Sequence, residues 1–203
     1  MIYFFDGKIE LNRSPSELLP PERYEKFQRL RRESDRQNCL GAYLLLKFAL
    51  KEEYGIEHFT VAEGQNGKPY LTQFDEIRFN ISHCDEGIAV AVSSGEVGID
   101  IQGITEAKDG VMNRVFLESE RKFVMTAADR NSEFTRIWSL KESAVKRRGE
   151  TLADIKNYEF AVSGDRFKKY GDSYSVFRTE KAYICVCADE FYDKIITVTK
   201  DVL

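Results

Sequence analysis

Between Phe134 and Lys146 the apolar positions recur as they would along one side of a helix. At about 100° per residue, Phe134, Ile137, Trp138, Ala144 and Val145 fall in a single stripe, and Lys141 falls inside it. An isolated buried ammonium is costly unless an anion partners it, so this break in the pattern marks a place where a site is built. Glu142 and Lys146 stand one turn apart at the edge of the stripe. That spacing fits a ligand site and also an ordinary i,i+4 salt bridge on a solvated face. Upstream, residues 97–102 alternate apolar and non-apolar, which predicts a half-buried strand with Gly98, Asp100 and Gln102 on one face.

The same reading places the other elements. Ile2, Tyr3, Phe4 and Phe5 form a strand-like run that ends at a turn, Asp6-Gly7. Pro15, Pro20 and Pro21 bracket a loop, and helical spacing begins near Glu22. A second helix, capped by Ser34 or Asp35, runs through the leucine-rich segment 43–50 to Tyr54-Gly55. Residues 65–69 read as a turn holding Lys68 beside the rigid Pro69. Ile77, Phe79 and Ile81 alternate inward along a strand, and 87–94 is a second, buried one. Connections this short predict antiparallel pairing. Beyond Gln102, helices are predicted over 113–128 and 133–148, then strands over 157–162, 173–178, 181–187 and 194–199. The expected fold is α+β in two similar halves, 1–103 and 104–203, each an antiparallel sheet packed with helices.

With 42% hydrophobic residues in 203, the chain can bury a sizeable core. It lacks the run of about eighteen apolar residues that a membrane span needs. The first residues have neither the basic segment nor the long apolar core of a secretory signal, so a cytoplasmic protein with no membrane partner is expected. Cys39, Cys84, Cys185 and Cys187 make no C-x-x-C pair and read as reduced structural thiols. A net charge of −4 argues against general nucleic-acid binding. Basic residues nevertheless gather in two places, Arg23, Lys26, Arg29, Arg31, Arg32 and Arg36 in one, Lys141, Lys146, Arg147 and Arg148 in the other. Each residue alone reads as solvated surface; together the clusters suit a small polyanion or an acidic partner.

A carboxylate at Asp100, an amide oxygen at Gln102 and a glycine that clears space suit a hard divalent cation carrying phosphate oxygens, with Glu142 as a second carboxylate. Ser82 and His83 are strand neighbours that point to opposite faces, which disfavours a nucleophile-and-base pair. His83 is open to two readings, a phosphate donor or a histidine satisfied in the core.

Five ordered motifs carry a resemblance that covers most of the chain. They are Gly67-Lys68-Pro69, Phe79-Asn80-Ile81-Ser82-His83, Gly98-Ile99-Asp100, Phe116-x-x-x-Glu120, and Trp138-Ser139-x-Lys141-Glu142-Ser143-x-x-Lys146. The set resembles the 4′-phosphopantetheinyl transferases, and in length the pseudodimeric, surfactin-synthetase-activating (Sfp) type rather than the short trimeric holo-acyl-carrier-protein synthase type. The resemblance implies coenzyme A bound between the halves and an apo acyl or peptidyl carrier protein whose serine hydroxyl accepts phosphopantetheine. It implies Mg²⁺, with Mn²⁺ as a substitute, held by Asp100 and Glu142, by Gln102 directly or through water, and more weakly by Glu120. Coenzyme A would be held by Lys68 and Pro69, Ser82 and His83, Lys141 and Lys146, with Arg36 the choice among the first arginines. Asp100, Glu142 and Lys146 would carry the chemistry, with Glu142 or a metal-held water taking the serine proton.

Many relatives have an acidic residue where this chain has Gln102, which puts metal affinity in question. A non-catalytic relative that binds carrier protein or coenzyme A is the alternative reading. A different Mg²⁺-dependent phosphotransfer enzyme is disfavoured because no GxxxxGK[ST] loop is present. Internal pseudosymmetry predicts a monomer.

Overall fold

Four consecutive apolar residues form β1 (Ile2–Phe5), buried on both faces, in the computed structural model, which describes residues 1–7 and 13–201. Two short helices follow, α1 (Pro15–Leu18) and α2 (Pro21–Arg29), each with proline in its first turn, where the missing N–H costs nothing. The long helix α3 (Glu33–Tyr54) starts ahead of Ser34, with Arg32 as its extended N-cap residue, and stops at Gly55 in the left-handed conformation (φ 69°). A small hairpin, β2 (Val61–Glu63) and β3 (Pro69–Leu71), carries the 65–69 turn. Then β4 (Arg78–Cys84) and β5 (Gly87–Ser93) pair antiparallel, and β5 also pairs antiparallel with β1.

The first half ends with β6 (Gly98–Gly103). The single helix expected over 113–128 is two, α4 (Asp109–Val115) and α5 (Glu118–Thr126). The break is made by Glu120, whose Oε2 accepts the Leu117 N–H at 2.7 Å and so starts a new helix there. Helix α6 (Arg130–Arg148) is capped by Asp129, whose Oδ1 accepts the Ser132 N–H at 3.0 Å, and ends at left-handed Gly149 (φ 63°). Residues expected as a strand over 157–162 are not one: Leu152–Asn157 is a 3₁₀ turn, and the Phe160 N–H goes to Glu120 Oε1 (2.8 Å) instead of to a neighbouring strand. An unpredicted strand, β7 (Arg166–Lys169), forms a hairpin with β8 (Asp172–Arg178) through Tyr170-Gly171. Both turn residues have positive φ, the geometry that matches strand twist in a two-residue hairpin. The last strands are β9 (Ala182–Ala188) and β10 (Ile196–Thr197).

One sheet has the order β10-β1-β5-β4 and the other β6-β9-β8-β7. Strand β6, although it precedes residue 104, runs antiparallel to β9, while β10 returns to lie parallel to β1. Each sheet therefore has three strands from its own half of the chain and one at its edge from the other. The layers follow from which faces are apolar. Tyr3, Phe5, Val90 and Val92 face α3 in one core. Tyr183, Cys185 and Cys187 pack with α6 residues in a second. Ile2, Phe4, Ala89 and Ala91 meet Ile99, Ile101, Ile184 and Val186 in a third, between the sheets. Burial on both faces explains why these strands read as continuous apolar runs. The result is the expected α+β fold, two sheet layers, antiparallel except for the β1-β10 edge, each backed by one long helix. Among the described residues, no helix is long and apolar enough to cross a membrane.

The period of β6 directs Ile99 and Ile101 into the middle layer and leaves Gly98 and Asp100 towards α6. The space at Gly98 is filled by that helix: a Cβ there would lie inside van der Waals contact with the Ser143 carbonyl and the Arg147 backbone. Gly98 thus sets the distance between the Asp100 strand and the Glu142 helix, rather than clearing room for a ligand. Gly98→Ala should lower the urea midpoint by the equivalent of about 3 kcal/mol, the upper range for overpacking a filled core. An unchanged midpoint would show that α6 is free to shift.

Candidate functional site

Strands β4 and β6 lie at the edges of different sheets, and side chains join them. Asn80 Oδ1 accepts the Ile99 N–H (2.8 Å). Two residues on, Ser82 Oγ donates to Asp100 Oδ1 (2.9 Å). From α6, Ser139 Oγ donates to the Asp100 carbonyl (3.1 Å), fixing the strand against the helix. Lys146, two turns further along α6, places its Nζ 2.6 Å from Asp100 Oδ1 and 3.0 Å from Ser82 Oγ. Glu142 Oε2 stands 3.8 Å from the same ammonium. Asp100, Glu142, Lys146 and Ser82, all read from the sequence as site residues, are brought together here.

Asp100 is only 4% exposed, and its Oδ2 has no hydrogen-bond partner among the described residues. A buried carboxylate oxygen without a donor is expensive, and a cation is the natural occupant of the space it faces. The Glu142 carboxyl has its pKa raised, first by burial and then by the negative charge of Asp100. Two carboxylates close enough to repel, one with a free buried oxygen, fit a hard divalent ion that takes one or two protein carboxylates and leaves its other positions to water and substrate. Gln102 follows Asp100 on the same face of β6 and is partly buried. Among the described residues no third His, Cys, Asp or Glu joins a group of three.

His83 points the other way from Ser82, into a cavity of about 710 Å³ between α2, α3 and the β2-β3 hairpin. Its place in the cavity and the nearby Lys146 charge hold its pKa below the ordinary value. Arg23 and Lys26 line the same cavity, as does Pro69. The Arg23 guanidinium rests on the Tyr43 ring (5.9 Å to the centroid), and its buried Nε has no partner among the described residues. Arg36 is not among the lining residues; its Nε donates to the Leu30 carbonyl (3.0 Å) and its guanidinium lies against Phe27. The sequence clue to Arg23 is its i,i+3 spacing from Lys26, which puts both on one side of α2. Lys68 borders a second cavity of about 730 Å³ that shares Pro69 and Phe79 with the first. It donates to Glu96 (2.5 Å) and to the Arg147 carbonyl.

Lys141 and Glu120 stand apart from this group. Both have no exposed surface, and Lys141 Nζ donates to both Glu120 oxygens at 2.9 and 2.8 Å and to the Tyr158 carbonyl. Burial pulls the Lys141 pKa down and the Glu120 charge opposes it. The anion demanded by a lysine in an apolar stripe is therefore internal, and neither side chain has surface to offer a ligand.

The family described as the 4′-phosphopantetheinyl transferase superfamily matches residues 96–194, a segment that encloses β6 to β9 with Asp100, Glu142 and Lys146. A 4′-phosphopantetheinyl transferase of Bacillus subtilis is 30% identical over 136 residues, 65% of this chain and 61% of the relative. The transferase gsp of Aneurinibacillus migulanus is 33% identical over 135 residues, 64% of this chain and 56% of the relative. Sfp of Bacillus subtilis strain 168 is 26% identical over 140 residues, 66% of this chain and 62% of the relative. The chain thus spans about three fifths of the length of these relatives.

Proposed function

We propose that this chain, whose residues 96–194 match the 4′-phosphopantetheinyl transferase superfamily and whose relatives include Sfp, moves 4′-phosphopantetheine from coenzyme A to a serine of an apo acyl or peptidyl carrier protein. The observation that carries the reading is the meeting of Asp100, Glu142 and Lys146 close to the cavity lined by His83 and Arg23. One group of residues handles a metal-bound diphosphate, and the other a nucleotide with its own phosphate. The two meet between the halves 1–103 and 104–203, with the enzyme acting as a cytoplasmic monomer.

In this reading the serine oxygen bonds to the phosphorus that bears pantetheine. The bond from that phosphorus to the bridging oxygen breaks, and adenosine 3′,5′-bisphosphate leaves. Such displacements need positioning and charge neutralisation more than covalent help. Asp100 and Glu142, with Gln102 beside them, would hold Mg²⁺ or Mn²⁺, which supplies charge neutralisation at the diphosphate. Lys146 turns its ammonium to the same oxygens. Glu142 or a water held by the metal would take the serine proton. His83, Arg23 and Lys26 hold phosphate oxygens, Gly67 and Pro69 close that cavity from the hairpin side, and Lys68 stands at the adjoining cavity.

Intact-protein mass spectrometry of apo carrier proteins incubated with this protein, coenzyme A and Mg²⁺ tests the proposal. A chelator-sensitive gain of one phosphopantetheine is expected; coenzyme A binding with no gain on any carrier would favour a non-catalytic binding protein. Arg23→Ala should weaken coenzyme A binding about tenfold in calorimetry, the worth of one charge-assisted hydrogen bond, whereas Arg36→Ala should leave it unchanged. The reverse pattern would restore Arg36 as the phosphate ligand.

A further inference from the structure

Resting on the transferase reading, we infer that Lys146 makes divalent-metal binding conditional on the diphosphate, so that ion and diphosphate enter the site as a coupled pair. The ammonium touches Asp100 Oδ1 (2.6 Å) and Ser82 Oγ (3.0 Å) and stands 3.8 Å from Glu142 Oε2. The two carboxylates a hard ion would use already share a cation. Gln102 adds a neutral amide, and among the described residues no further His, Cys, Asp or Glu completes a group of three.

The charges then decide the order of events. Two carboxylates and one ammonium give the site a net charge of minus one. A divalent ion alone brings it to plus one and sets a dication beside an ammonium deprived of its anion. A diphosphate alone brings it to minus three. Both together return it to minus one, with Lys146 transferred from Asp100 to the diphosphate oxygens. The Lys146 side chain is 27% exposed and that of Asp100 only 5%, so water screens these interactions poorly and each unmatched charge is costly. Lys146 has a long flexible stem and needs only a rotamer change to make the exchange. Coupling of this kind is reciprocal: the factor by which the diphosphate tightens the ion is the factor by which the ion tightens the diphosphate.

The test needs no carrier protein, so coenzyme A is not consumed. Mn²⁺ binding is followed by the loss of the free-ion electron paramagnetic resonance signal, with the protein alone, with saturating coenzyme A, and with adenosine 3′-monophosphate, which lacks the diphosphate. Coenzyme A should tighten Mn²⁺ about tenfold or more, and the monophosphate should leave it unchanged. Lys146→Met, which removes the competing ammonium, should tighten Mn²⁺ binding to the protein alone and shrink the coupling factor. Gln102→Glu should do both by adding a carboxylate, which keeps the test intact if Lys146→Met fails to fold. Equal Mn²⁺ affinity with and without coenzyme A would overturn the inference while leaving the transferase reading standing. Weaker Mn²⁺ binding by Lys146→Met alone would do the same. Coenzyme A that fails to bind at any Mn²⁺ concentration would remove the transferase reading and this inference with it.

Discussion

Asp100→Asn is expected to reduce the proposed phosphopantetheine transfer about a thousandfold, the upper range for losing one preorganised electrostatic group, while leaving the urea midpoint unchanged or raising it. The substitution keeps the volume of the side chain, and an amide oxygen can still accept from Ser82 Oγ, which now holds Asp100 Oδ1 at 2.9 Å. What disappears is the charge, and a neutral NH2 group takes the place of the buried, charged Oδ2 that has no donor among the described residues. Such an oxygen reduces the stability of the folded state, and relief of that cost is the usual companion of lost function at a strained site. Lys146 is not stranded by the change, because Glu142 remains 3.8 Å away and its own side chain reaches water. The midpoint and the mass-spectrometric rate must be read together. A variant with more than a tenth of the original rate would take Asp100 out of the chemistry, and one that unfolds early would make its role structural.

Local pattern carried much of this molecule. The alternation around Asp100, the helical spacing from Phe134 to Lys146 and the glycines after Tyr54 and Arg148 are short-range signals, and β6, α3 and α6 follow them closely. Elements fixed by a distant side chain were not legible. The break at residue 116 is local, made by the Glu120 carboxylate turned back on Leu117, but with leucine at the N-cap the usual Ser, Thr, Asp or Asn signal is missing. The same carboxylate takes the Phe160 N–H and removes the need for a strand partner at that point. The exchange of edge strands between sheets is equally invisible, because pairing between β1 and β10 depends on residues almost two hundred positions apart. At the site, Asp100, Glu142 and Lys146 could be read from spacing along one strand and one helix. The choice between Arg23 and Arg36 could not, because it turns on how α2 and α3 are rotated about their axes relative to the cavity.

Lys141 shows a correct physical rule read towards a ligand site when it admits a second outcome. A lysine inside an apolar stripe requires an anion, and a bound phosphate or an internal carboxylate would serve. Because the structure supplies Glu120 with both oxygens on the ammonium, Lys141→Met should cost about 3–5 kcal/mol, the usual penalty for leaving half of a buried pair uncompensated. For a chain of this size that is a fall in melting temperature of roughly 10 °C. Glu120 also accepts the N–H groups of Leu117 and Phe160, so Glu120→Gln should be at least as damaging. It strands the ammonium and leaves one carbonyl oxygen to do the work of two. The double variant should recover part of the loss, because a matched neutral pair replaces an unmatched charge, and the cycle of four proteins measures that coupling directly. The folded fraction of Lys141→Met should bind coenzyme A with unchanged affinity, since Lys141 has no exposed surface. A Lys141→Met protein that melts normally but has lost coenzyme A affinity would place Lys141 in the ligand site and make its pairing with Glu120 incidental.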